Sequence, residues 1–176
     1  MSQAVAQPVV RWRLGARARK GVLVVHIASA GAWLGIDVVM GVLVFTALLS
    51  DEDRTKALAF RALELVAVGP LLATGLVCLV TGVLLGLSSK YGLLRYWWVA
   101  AKLALNLVLT GLVLVALAPQ VADAAARARQ FDAGVPVPLG VGDLIFPPIV
   151  SPTALLVAMV LAVFKPWGRI RNATTR

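Results

Sequence analysis

The first long apolar run of this chain reads GVLVVHIASAGAWLGIDVVMGVLVFTALL, residues 21–49. Its only ionisable side chains are one histidine and one aspartate. A helix needs about 20 apolar residues to cross a hydrocarbon core of about 30 Å, and this run is longer than that. Lipid offers the backbone amides no hydrogen-bond partner, so a long run without strand-like alternation must be helical.

Three further apolar runs follow, at residues 63–87, 97–118 and 149–164. They predict an all-α protein, a transmembrane antiparallel four-helix bundle with spans at about 21–49, 63–87, 96–118 and 149–166. We expect one membrane domain, residues 21–167, between a basic tail at 1–20 and a second tail at 168–176. Hydrophobic residues make up 60% of the chain and charged residues 14%, which is far from the profile of a soluble domain. The apolar stretch before Ala28 is short for a signal peptide, so we expect an uncleaved anchor.

The basic residues favour one side of the predicted bundle. Eleven lysines and arginines lie beside the two chain ends and the second connection, against five on the opposite side. The positive-inside rule therefore predicts a multi-pass protein of the cell membrane with both termini in the cytoplasm. The partners expected for this charge are the lipid bilayer and its anionic headgroups rather than nucleic acid.

Local signals predict the connections and the helix-packing faces. Pro70 is expected to kink the second span, and the third is expected to stop near Pro119, followed by a short surface helix over residues 120–131. Ser151, followed by a proline, is expected to cap the last span. Glycines four residues apart, at 31 and 35 and at 82 and 86, are typical of close helix contacts.

Four ionisable residues lie within or at the edge of the spans, and such residues are functional candidates by default. His26 and Lys102 each lie about five residues, roughly 8 Å, from the same end of parallel helices, so we expect them to share a polar pocket. Trp33 and Asp37 follow His26 on one face of the first span, and Asn106 lies one turn beyond Lys102. Asp37 is a mid-span carboxylate that must be paired, protonated or hydrated. Glu64 starts the second span, with Arg61 as the expected partner.

Two groups of residues carry a resemblance. The pattern H-x-x-S-x-G-A-W-L-G at 26–35, the stretch YGLLRYWWV at 91–99 with Lys102, and the ending KPWGR at 165–169 resemble a family of bacterial four-span membrane proteins without assigned activity. The histidine with G-x-W-x-G and the later tryptophan and lysine resemble, more distantly, copper-resistance D-type domains and the haem-linked membrane protoporphyrinogen oxidase family. That likeness implies His26 as a haem b or metal ligand and Lys102 as its functional neighbour. The chain has a single histidine, so one chain cannot supply bis-histidine ligation, and copper would need Met40 or Cys78 in support.

Three functions remain open on this reading. The leading hypothesis is a non-enzymatic membrane protein whose polar groups serve packing, homo-oligomer formation or association with a membrane partner. The second is a haem-binding or redox protein that uses His26 and Lys102, with Trp33 and Asn106 around the cofactor. The third is an ion or proton carrier that uses Asp37 and Glu64.

Overall fold

The computed structural model describes residues 14–89, 93 and 96–164. It confirms the all-α fold, a four-helix bundle. Four long helical stretches, Ala16–Leu49, Asp53–Leu87, Trp97–Asp132 and Gly142–Phe164, are each long and apolar enough to cross a membrane. Residues 1–13 of the first predicted tail, the end of the predicted membrane domain at 165–167 and the whole second tail at 168–176 lie outside the described residues, as does most of the YGLLR connection.

The four stretches divide into six α-helices and two short irregular turns. Helix α1 is the unbroken stretch Ala16–Leu49. The second stretch comprises α2, Asp53–Val66, and α3, Val68–Leu87. The third comprises α4, Trp97–Leu112, a π-helical turn at Val113–Leu117, and α5, Ala118–Asp132. A 3-10 turn at Gly142–Ile145 then leads into α6, Pro147–Phe164. We call the end where α1 and α4 begin the N-terminal end of the bundle, and the other the distal end.

The second stretch is interrupted close to its proline, Pro70. The helix breaks at Ala67, and α3 resumes at Val68. Proline has no N–H, so Pro70 cannot donate to the carbonyl of Val66, four residues earlier, and the ladder loses one bond there. The break at Ala67 therefore lies within one turn of the kink predicted at Pro70.

The prediction that the third span stops near Pro119 is wrong. The chain remains helical to Asp132, and the π-helical turn at Val113–Leu117 directly precedes the proline. A π-turn shifts the hydrogen-bond register by one residue, and a proline is tolerated at the first positions of a helix because the N–H there is unpaired anyway. The short helix expected over 120–131 therefore exists as the continuation of a span.

Helices α2 and α5 pack against each other toward the distal end of the bundle. Both helices carry small buried side chains, which allow close approach; they include Ala57 and Ala59 on α2, and Ala124 and Ala128 on α5. Two ion pairs lie at the rim of this contact. Arg61 pairs with Asp132 rather than with Glu64, so the expected Arg61–Glu64 pair is wrong.

The prediction that Ser151 caps the last span is also wrong. Helix α6 begins at Pro147, so Ser151 lies in the second turn of the helix with Pro152 beside it. The hydroxyl of Ser151 is turned to a partner on α1 instead of to a helix terminus.

Glycines on α3 provide the closest contacts with α1. A Cβ atom placed on Gly75 would lie 2.8 Å from Cζ3 of Trp33, and one on Gly82 would lie 3.3 Å from Cε1 of His26. Gly82 therefore meets another helix, as predicted. Gly86 instead faces Leu93 of the following connection, and a Cβ on Gly31 or Gly35 would meet no atom within 4 Å among the described residues.

Gly75→Ala is expected to lower the free energy of unfolding by about 1–3 kcal/mol, because the added methyl overlaps a rigid, fully buried indole ring. Gly31→Ala is the matched control, since its methyl group enters open space and the substitution gains helix propensity. Denaturant unfolding of both variants in the same detergent measures the difference. Equal stability of the two variants would contradict the packing of Trp33 on Gly75.

Candidate functional site

A buried carboxylate joins α1 to α6 through a short chain of hydrogen bonds. Asp37 is only 1% exposed. The hydroxyl of Ser151 donates to Oδ2 of Asp37 at 2.7 Å, and the indole N–H of Trp33 donates to the same hydroxyl oxygen at 3.1 Å. Trp33 and Asp37 lie one turn apart on α1, so one serine on α6 connects both. The Trp33–Ser151–Asp37 chain orients one carboxylate oxygen and leaves the other available.

A cavity of about 380 Å³ opens beside this carboxylate. Within the described part of the chain, Oδ1 of Asp37 has no hydrogen-bond partner. The cavity wall is mostly aliphatic, and its polar lining side chains are Asp37, Gln120, Asp143 and Ser151. The side-chain oxygen of Gln120 is likewise buried without a partner among the residues described. The cavity therefore presents hydrogen-bond acceptors and acidic groups in an apolar wall.

His26 belongs to a second polar cluster, nearer the N-terminal end. Its Nδ1 lies 3.1 Å from the carbonyl oxygen of Cys78 and 3.0 Å from the hydroxyl of Thr81, both on α3. A carbonyl oxygen can only accept, so the contact fits an Nδ1–H tautomer and leaves the lone pair on Nε2. The Cys78 thiol lies 3.7 Å from Nδ1, and the Ser29 hydroxyl donates to the backbone oxygen of His26.

Lys102 lies on α4, one turn after Trp98. Its ammonium nitrogen is 4.8 Å from the centroid of the Trp98 ring, a distance typical of a cation–π contact. It is close enough to act electrostatically on His26 and on Cys78. The pocket that the sequence predicts for His26 and Lys102 stays a prediction.

Two polar side chains of α4 lie between these clusters. Asn106 follows Lys102 by one turn, and Thr110 follows by another. The side-chain oxygen of each is buried without a hydrogen-bond partner among the described residues. Oγ1 of Thr110 would lie 3.0 Å from a Cβ on Gly75, where the Trp33 ring also packs. Asn106 and Thr110 therefore follow Lys102 along α4 in the direction of Trp33.

Glu64 lies apart from both clusters. It lies near the C-terminal end of α2, where its carboxylate accepts from Arg129 at 2.6 Å, and both side chains are substantially exposed. It does not line the cavity beside Asp37. The structure therefore groups Trp33 with Asp37 through Ser151, and the roles predicted for His26, Lys102 and Asn106 stay predictions.

The sequence reasoning missed Ser151, Gln120 and Thr81. Ser151 was interpreted as a helix cap, and Gln120 was assigned to a helix outside the membrane. One signal for these residues was the aspartate in the middle of the first span. A buried aspartate requires a hydrogen-bond donor at the same depth on another helix.

Metal or haem binding at His26 stays a prediction. Among the described residues, no group of three or more histidine, cysteine, aspartate or glutamate side chains could hold a metal ion. The hydrogen bond at Nδ1 is of the kind that orients a ligating imidazole through its other nitrogen. Neither His26 nor Lys102 lines the cavity beside Asp37, so haem b binding stays a prediction.

Comparisons with protein-family models, curated proteins and solved structures give no match for this chain. The class that the fold and the site define is a small α-helical bundle, membrane-spanning by the length and composition of its helices, with a carboxylate buried in its interior.

Proposed function

We propose that this membrane protein binds a small amphiphilic cation in the cavity beside Asp37. The observation that carries the proposal is the unpartnered Oδ1 of Asp37, a buried carboxylate oxygen without a partner among the described residues, in a side chain that lines the cavity. An intramembrane carboxylate is costly unless it is paired or protonated. A cation that donates a hydrogen bond to Oδ1 satisfies both the charge and the unused acceptor.

The cavity lining narrows the chemistry of the ligand. Its charged lining side chains, Asp37 and Asp143, are both acidic, and its other polar groups are Gln120 and Ser151. The remaining wall is aliphatic, with Met40, Leu71 and Leu109 among its members. A volume of about 380 Å³ lies within the range of small-molecule sites. A primary ammonium head with a short apolar body fits this combination.

This proposal develops the ion-carrier hypothesis, which used Asp37 and Glu64, and replaces Glu64. Glu64 is paired with Arg129 at the rim of the contact between α2 and α5, so the binding role falls to Asp37 with Gln120 and Ser151 beside it. The packing and partner-association hypothesis assigns the same carboxylate a structural role, and the experiment below separates the two. The setting we propose is the cell membrane, with the N-terminal end at the cytoplasmic face because of the basic asymmetry.

Alkylammonium ions are expected to bind more tightly than the alcohols of the same chain length. A hydrogen bond to a charged group is worth about 1.5–3 kcal/mol, so the ammonium should bind roughly 10- to 100-fold more tightly. Isothermal titration of the purified protein with butylammonium and butanol measures this difference. Asp37→Asn should abolish the preference while keeping the side-chain shape.

Asp123→Asn, at an exposed carboxylate of α5, is the matched control and should bind as the wild type does. Equal affinity for ammonium and alcohol in the wild-type protein would refute the cation site and leave Asp37 with a packing role.

A further inference from the structure

We propose that the cation of this cavity is a linear diamine, a dication whose two ammonium groups are joined by a methylene chain. Asp37 binds one ammonium group, and Asp143 binds the other. The inference rests on the proposed function, because it takes the cation site beside Asp37 as given. It adds the substrate class, since two charges at a fixed spacing distinguish a diamine from a simple alkylammonium ion.

The cavity has two carboxylates in its wall, and neither has a cationic partner among the described residues. Asp37 is 1% exposed, and its Oδ1 has no hydrogen-bond partner in the described part of the chain. Asp143 also lines the cavity and is exposed. Within the described ranges, no ion pair involves either carboxylate, and no lysine, arginine or histidine lines the cavity. A ligand with two positive charges therefore finds one counter-charge for each of them in this wall.

The exposure of Asp143 gives the two carboxylates different roles. A side chain that lines the cavity and is also exposed lies at the opening of the cavity, so one ammonium group stays beside water there. Only the other ammonium group is transferred to the buried carboxylate of Asp37. This arrangement suits a dication, because an ionised group is costly to bury unless it is paired.

The rest of the cavity wall suits the methylene chain. Apart from its polar residues the lining is apolar, and it includes Leu112 on α4 with Phe146 and Val150 near the start of α6. Methylene groups are stabilised on transfer from water to such a wall. The side-chain oxygen of Gln120, buried without a partner among the described residues, is a further acceptor, and an ammonium group has three N–H donors. The wall thus offers acceptors for ammonium groups and an apolar surface for the chain that joins them.

The course of the chain limits the separation of the two carboxylates. Ser151 donates to Asp37 at 2.7 Å and lies four residues after Pro147, the first residue of α6, which is about 6 Å along the helix axis. Asp143 lies four residues before Pro147, in the 3-10 turn, which adds about 8 Å. The backbones at Ser151 and Asp143 are therefore about 14 Å apart or less along this axis. One length of methylene chain fits a fixed separation better than the others, so the affinity of diamines should pass through an optimum.

The test titrates the purified full chain in detergent with diamines from diaminobutane to diaminodecane and with the monoamines of the same lengths. Two equal ends give a diamine about a twofold advantage on statistical grounds, and an ion pair at an exposed carboxylate adds roughly another factor of two to five. We therefore expect the diamine of optimal length to bind about 4- to 10-fold more tightly than its monoamine. Asp143→Asn should lower this ratio to about two at every length, and Asp143→Glu, which keeps the charge, should retain the preference.

Asp123→Asn is the matched control, because it removes the same charge from an exposed carboxylate outside the cavity wall. It should keep the wild-type ratio. Comparison of this ratio between variants at one chain length cancels the unequal partition of the two ligands into detergent. A wild-type ratio of about two at every length, or an unchanged ratio in Asp143→Asn, would overturn the diamine assignment.

The failures of the two proposals are distinguishable. A preference for butylammonium over butanol, together with a diamine ratio of about two, would keep the cation site and remove the diamine. Equal affinity for butylammonium and butanol would refute the cation site beside Asp37, and the diamine assignment with it.

Discussion

Replacement of Trp33 by alanine is expected to lower the free energy of unfolding by about 3–5 kcal/mol. The Trp33 side chain is 0% exposed, and its ring packs on the backbone of α3 at Gly75. Rigid helices fill such a gap poorly, so the cavity left by the ring retains most of its cost. Denaturant titration in detergent, followed by circular dichroism, measures the change.

Two other variants make the result specific. Trp97→Ala removes an equally large ring that is 56% exposed, and it should change the stability far less. Trp33→Phe keeps most of the ring volume and removes only the N–H that bonds Ser151. If Trp33→Ala is no more destabilising than Trp97→Ala, Trp33 is not the centre of the packing between α1 and α3.

The number and type of the long helices could be predicted from the apolar runs alone. The reason is that the thickness of a bilayer fixes a minimum length for each run. The ends of the helices could not be predicted in the same way. The polar, alanine-rich stretch of α5 resembled a separate surface helix, because the π-helical turn that accommodates Pro119 has no sequence signature of its own. Its packing on α2 decides that the helix continues.

The lateral position of the polar residues could not be predicted. Counting residues from the helix ends predicts one level for His26 and Lys102, and their shared pocket stays a prediction. The partner of Asp37 escaped the sequence because Ser151 is 114 residues away along the chain. Only the packing of α1 against α6 brings these two residues together. A single sequence does not show how two helices pack against each other.

The same limit applied to the glycines. Spacing identified Gly31 and Gly35 as a close-contact pair, yet the structure places both on the outer surface of the bundle. Gly82 and Gly75 meet α1 instead. Small-residue spacing thus marks faces that allow close approach, and the bundle geometry decides which of those faces is used.

Asp37→Leu is expected to raise the stability of the bundle while it abolishes alkylammonium binding. The substitution removes a buried acceptor atom that has no partner in the described part of the protein. Leaving such an atom unsatisfied costs about 1–3 kcal/mol, and the leucine side chain extends toward a cavity wall that is mostly aliphatic. The variant loses the bond from Ser151, whose hydroxyl can turn back to a carbonyl of its own helix. Thermal unfolding and isothermal titration on the same preparation measure both effects.

Asp123→Leu is the matched control for this last change, because Asp123 is an exposed carboxylate on α5. Its stability should stay within about 0.5 kcal/mol of the wild type, as expected for surface positions, and its ligand affinity should not change. If the Asp37→Leu protein is more stable and does not bind the ligand, the carboxylate lowers the free energy of unfolding of the wild-type protein and serves ligand binding. A clearly destabilised Asp37→Leu protein would instead assign Asp37 to packing, since the bond from Ser151 would then contribute more than the buried acceptor costs.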